Sequence, residues 1–181
     1  MNREEILSEI LRKHKLWLKK EKYGEQADLS GANLKGLNFT YADLSYSDLS
    51  GADLSGANLA YVNLKGANLR DTNLSGVSLR DTDLNGVNLS YTDLSGADLR
   101  EVNIQNVFGQ RIIALKFDTS RKNSQLVYWV DIDVATTGCF QGSLEDLKSR
   151  VEETHKDNKV IRERYRKAIS FIEEMIEDYK K

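Results

Sequence analysis

Three side chains in this sequence could serve as nucleophile or base: the single cysteine, Cys139, and the two histidines, His14 and His155. A thiol within hydrogen-bond reach of an imidazole makes an activated nucleophile, and Cys139 with His155 is the pair to weigh. His14 lies on the opposite flank of the chain. Cys139 sits in a short strand-like stretch, where a lone cysteine behaves as a small buried hydrophobe. The chain has no P-loop, no paired zinc-ligand spacing and no nucleophile elbow. The expectation is therefore a protein that is not an enzyme, with no catalytic residues, no cofactor and no metal.

The other polar groups with regular spacing are Asp and Asn. They stand immediately before an apolar residue at every fifth position, with Ser78 the one exception. Calcium ligation is one chemistry for such residues, but ligand loops cluster their carboxylates with glycine. Here they recur singly, so turn formation and stacked side-chain hydrogen bonds account for them better.

What positions these residues is a five-residue repeat, visible in "GADLSGANLA" at residues 51–60. The apolar centres run without a slip from Leu29, Leu34 and Phe39 through Leu54, Leu64 and Leu74 to Leu99 and Ile104, sixteen words in all. Two residues before each centre stands a mostly small or β-branched residue such as Ala52, Val62, Thr72 or Ala97. Five matches neither the helical period nor the strand period. A short two-residue side followed by a polar turn, repeated, winds into a coil, and stacked coils make a solenoid. The absence of proline suits a backbone whose N–H groups are all used.

The tandem "ADLSGANL" resembles the pentapeptide-repeat family, whose motif is A-(D/N)-L-x-x, over residues 27–107. The resemblance implies a mainly β fold: a right-handed quadrilateral β-helix with four words per coil, hence four coils. At roughly 4.8 Å per coil, that stack is about 19 Å tall.

Four words per coil place residues 20 apart in one column. Gly36, Gly56, Gly76 and Gly96 form an unbroken glycine column, read as a corner that needs positive φ or as a smooth strip for a partner backbone. Tyr41 falls over Tyr61, continuing into Asp81 and Glu101, with Arg80 and Arg100 beside them. Exposed Tyr and Arg favour interfaces, so Tyr41, Tyr61, Arg80 and Arg100 form the candidate interaction surface. The competing reading is an ordinary solvated face with neighbouring ion pairs.

The flanks complete the plan. Residues 1–26 read as a helix, with Asn2 and Glu5 spaced as a capping box and Leu7, Ile10, Leu11, His14, Trp17 and Leu18 along one stripe. It would cap the open edge of the first coil. Residues 108–181 read as a small α+β module, either packed on the end of the solenoid or separate from it. Strands are expected at 111–117 and 126–134, joined by a polar turn at 118–125, with a third in "TTGCFQG". A helix capped by Ser143 should run to residue 153 or 154, and after "HKDN" a second helix to about 179. The stretch from "GCFQGSLEDL" to "VEETH" is similar to tails of small pentapeptide-repeat proteins of bacteria and phages.

A net charge of −2 argues against general nucleic-acid affinity. Interleaved Glu and Lys in the first helix argue against membrane binding. A charged start with no long apolar run predicts a cytoplasmic protein without a signal peptide, and one cysteine excludes an internal disulfide framework. The expected function is a scaffold or protein–protein interaction module with an unspecified protein partner; monomer and homodimer are both open. The family resemblance implies an alternative, a DNA mimic that binds DNA gyrase or topoisomerase. Duplex DNA carries about one charge per 1.7 Å, so a 19 Å mimic calls for on the order of 11 negative charges. The repeat region has ten acidic and five basic residues, five negative net.

Overall fold

The computed structural model describes residues 3–116, 125–138 and 140–179. The chain divides into two compact units, one comprising residues 1–98 and 102–109, the other 99–101 and 110–181.

The first unit opens with α1, Arg3–Leu18. Leu7 and His14 on its apolar stripe are buried, and Ile10, Leu11, Trp17 and Leu18 are half-buried. The helix is shorter than the 26 residues read from the sequence. Its end is set by backbone geometry: Glu21 N–H reaches back to the Leu16 carbonyl at 2.9 Å, and Lys20 and Tyr23 take φ of 56° and 66°, which cannot continue a right-handed helix. Gly24 then packs so tightly that a Cβ there would lie 2.3 Å from the Trp17 nitrogen. Asn2, half of the expected capping box, lies outside the described residues.

From residue 28 the chain forms single parallel bridges, each between residues 20 apart, from Asp28–Asp48 to Asn88–Phe108. Twenty residues per coil means four words per coil. The bonding is of the parallel-sheet kind: Leu29 N–H donates to Asp48 O at 2.7 Å, and Asp48 N–H donates to Ala27 O at 3.0 Å. Within each word the chain turns at once, as when Ala32 N–H closes on Leu29 O at 3.1 Å, with the third residue of the turn in the left-handed region. The inside is a ladder of leucines, Leu44 to Leu89 all fully buried, flanked by the buried Ala, Val and Thr of the small column. Three threonines in that column hide their hydroxyls on carbonyls of the preceding coil: Thr72 on Leu49, Thr82 on Leu59 and Thr92 on Leu69, at 2.7–2.8 Å.

The second unit holds an antiparallel sheet in the order β1 (Ile112–Lys116), β2 (Gln125–Trp129), β3 (Val134–Thr137), β4 (Phe140–Gly142). The single strand expected over 126–134 is broken by a 3₁₀ turn at Val130–Ile132, after which Asp133 takes φ 48°. Arg111 holds that turn, its guanidinium 2.6 Å from Asp131. The sheet thus has four strands where the sequence suggested three. The expected turn at 118–125 lies, except for Gln125, outside the described residues.

Two helices follow. α2 (Leu144–Thr154) starts with a capping box in which Ser143 accepts from Asp146 N–H and Asp146 accepts from Ser143 N–H. α3 runs over Lys159–Tyr179. Pairing places Ile113, Tyr128 and Ala135 in register on one face of the sheet. They join Leu144, Leu147, Val151, Ile169 and Ile172 in one apolar core. Tyr165 and Ile176 of α3 pack against it.

Candidate interaction face

The chemistry of the solenoid surface starts with one backbone requirement. The second residue after every centre has positive φ, and in the glycine column Gly36, Gly56, Gly76 and Gly96 sit at 65–68°. Glycine there suits the turn. The same conformation is nevertheless imposed on Tyr41, Tyr46, Tyr61, Asp71, Asp81, Tyr91, Glu101 and Asn106, at φ 55–64°. Non-glycine residues in this region are uncommon and carry strain. Large side chains thereby project from the corners.

Their stacking is direct. The Tyr41 and Tyr61 rings lie 5.1 Å apart with 18° between planes, an offset aromatic pair of favourable geometry, and they remain 74% and 47% exposed. Further along the same column Arg80 pairs with Asp81 at 3.3 Å. Arg100, 20 residues on in the sequence, belongs to the second unit. The structure therefore brings Tyr41 and Tyr61 together on one corner and pairs Arg80 with Asp81.

Two aromatic features escaped the sequence reading. At the diagonally opposite corner Arg70 lies over the Tyr91 ring at 5.2 Å while pairing with Asp71 at 3.0 Å. At the adjacent corner Tyr46 lies against Gly66, where a Cβ would meet the ring at 2.7 Å. Both could have been found by offsetting the columns by 20 and 21 residues.

The Asp and Asn column behaves as a turn former. Asp28 accepts the Ser30 hydroxyl at 2.7 Å and the Ser30 N–H at 3.0 Å, and the hydroxyl first, then the N–H, hold its carboxyl below the ordinary value. Across coils Asn68 donates to Asp48 at 3.1 Å and Asn103 to Asp83 at 2.9 Å. No group of acids, histidines or cysteines among the described residues is arranged to hold a metal ion.

The groups weighed for nucleophilic chemistry are placed as follows. His14 is fully buried under α1; its Nδ1 accepts the Ala27 N–H at 3.0 Å, and its ring stacks on Trp17 at 5.6 Å. His155 closes α2, its backbone N–H on the Val151 carbonyl, and its ring stacks on Tyr165 at 5.4 Å. Cys139 lies outside the described residues. Among the described residues no helix is long and apolar enough to cross a membrane.

A family model of pentapeptide repeats matches eight copies, over residues 25–56, 38–76, 52–90 and 78–107. No curated protein sequence matches the chain. Among solved structures, the chain is similar to the pentapeptide-repeat protein Rfr23 of the cyanobacterium Cyanothece 51142, with 37% identity, 46% of this chain and 56% of that one covered, and a TM-score of 0.45. It is similar to a pentapeptide-repeat protein of the Arabidopsis thaliana thylakoid lumen (22% identity, 44% and 62% covered, TM-score 0.37). It is also similar to QnrB1, a plasmid-mediated fluoroquinolone resistance protein (18% identity, 47% and 43% covered, TM-score 0.43). The chain thus spans about half the length of these structures. The twenty-residue bridge register, the buried leucine ladder and the eight matched copies agree, and through residues 25–107 the chain belongs to the pentapeptide-repeat family as a β-helix solenoid.

Proposed function

We propose that this protein is a non-enzymatic scaffold that binds a protein partner in the cytoplasm through the corner carrying Tyr41 and Tyr61, with Arg80 on the same unit. The observation that supports this most is the exposed tyrosine stack on a backbone whose every coil is hydrogen-bonded to the next. Two aromatic rings held rigid offer contact area at low entropic cost. The scaffold is read as four right-handed coils over 27–107, with α1 covering the first and residues 108–181 as a distinct α+β module. It uses no metal and no cofactor.

The test is a pull-down from the native host with wild type and the Tyr41→Ala/Tyr61→Ala double variant. A partner retained by wild type and lost by the variant, at unchanged melting temperature, supports the reading. Equal retention by both proteins would remove the tyrosine corner from it. The DNA-mimic reading gains nothing specific here, because five net negative charges fall well below what a mimic of this height requires. Gyrase supercoiling is expected to be insensitive to the protein at large molar excess.

A further inference from the structure

We infer that His14 is a protonation-controlled latch that holds α1 on the first coil when neutral and releases it when charged. The latch is built from three contacts. Nδ1 accepts the backbone N–H of Ala27, the residue that starts the first coil, at 3.0 Å. An imidazole that accepts at Nδ1 carries its proton on Nε2 and is neutral. The ring is fully buried and lies flat against Trp17, one helical turn on. Nε2 is buried without a hydrogen bond of normal geometry, and the Ser45 backbone is a polar group that acts on the ring.

Protonation would place a second N–H on Nδ1, directly facing the Ala27 N–H. The acceptor is lost, two donors oppose each other, and a charge is left on a buried ring. The groups facing the ring act in opposite senses. Burial disfavours the imidazolium most, while the Asp43 carboxylate and the backbone of Ser45, both from the first coil, favour it. On the α1 side the ring meets the uncharged Trp17. Lys13 and Glu25, next to the latch in the chain, are occupied with each other at 2.9 Å. Burial prevails, and the imidazole is held below its ordinary value. The latched state therefore binds fewer protons than the released state. Its stability is complete above the ordinary histidine range, near 6.5, and declines as pH falls below it.

Amide hydrogen exchange at Ala27 reads the latch directly, because its N–H is the one His14 holds. Between pH 7.5 and 5.0 the protection factor, corrected for intrinsic exchange, should fall at least tenfold in wild type. It should stay level in His14→Gln, whose amide can accept the same bond without titrating. His155→Gln, altering the only other histidine, should respond as wild type does. Protection that is constant in wild type, or that falls equally in His14→Gln, overturns the inference. Should His14→Gln fail to fold, the imidazole titration of wild type decides: a His14 midpoint below the ordinary value supports the latch, and a midpoint at or above it refutes it.

Discussion

The hydroxyl of Thr72 donates to the carbonyl of Leu49, 2.8 Å away in the preceding coil, and that carbonyl also accepts the N–H of Ala52 at 3.1 Å. The carbonyl is thus satisfied twice. Replacing Thr72 by Val removes one donor and leaves no buried group unpaired, so the change should alter stability by less than about 1 kcal/mol. Chemical denaturation measures it; a loss above about 2 kcal/mol would mean that the hydroxyl itself joins the coils.

The leucine ladder predicts the opposite sensitivity. Leu64 is fully buried, and Leu64→Asp places an unpaired carboxylate among stacked methyl groups. The cost should be several kcal/mol, and the melting temperature should drop by roughly 10 °C or more. Melting within a degree or two of wild type would contradict the inward placement of Leu64.

At Gly76, φ is 65° and nothing lies within 4 Å of where a Cβ would stand. Gly76→Ala therefore isolates backbone strain from steric clash, and it should cost about 1 kcal/mol. An unchanged denaturation midpoint would show that this corner relaxes freely.

The first coil differs from the others along its outer edge. Asp53, Asn58 and Asn63 donate their N–H groups to Ala32, Leu37 and Ala42 at 2.9–3.1 Å, whereas no such bond from Asn33, Asn38 or Asp43 is found among the described residues. Unpaired strand edges recruit other chains. Deleting residues 1–22 should also uncover Leu29, Leu34 and Phe39, and the product should associate in sedimentation velocity. A monomeric deletion product with unchanged melting would show α1 to be dispensable.

Tyr128 gives the second unit an alkaline limit. Its phenol is pushed up to about 12, first by burial and then by the hydrogen bond to Asp133 at 2.8 Å. The folded state favours the protonated phenol, so this stabilisation is complete below the ordinary tyrosine range, near 10, and declines as pH rises from there towards 12. Thermal melts of wild type and Tyr128→Phe between pH 8 and 11.5 check this: the variant should lose less stability across the upper part of the range.

The repeat was legible because each column has one dominant requirement. An inward leucine, a small inward neighbour and an Asx turn are all set by residue type, and they recur in phase. The outer corners were only partly legible. Tyr41 over Tyr61 follows from a shift of 20, but Arg70 over Tyr91 needs 21, since the long side chain reaches sideways to the neighbouring position. The end of α1 at Leu18 was hidden because Lys20 and Tyr23 are not residues that announce a left-handed turn. The break between β2 and β3 was hidden for a similar reason. In "LVYWVDIDV" the two acids, Asp131 and Asp133, alternate with apolar residues as they would along a half-buried strand, and the Arg111–Asp131 pairing that goes with the bend joins residues 20 apart. The role of His14 was invisible for another cause: an apolar stripe shows that the ring is buried, but not which backbone group it meets.

The bridge register of 20 makes length in this solenoid a quantised property. Loss of a single five-residue word would leave every local turn intact, yet rotate everything downstream by a quarter revolution, so that a tyrosine corner would continue into a glycine corner. Loss or duplication of four words would preserve the alignment of every outer column. Surface patterns such as the one at Tyr41 and Tyr61 can thus survive lengthening by whole coils and by nothing smaller, which confines the tolerated insertions within the repeat to multiples of one coil.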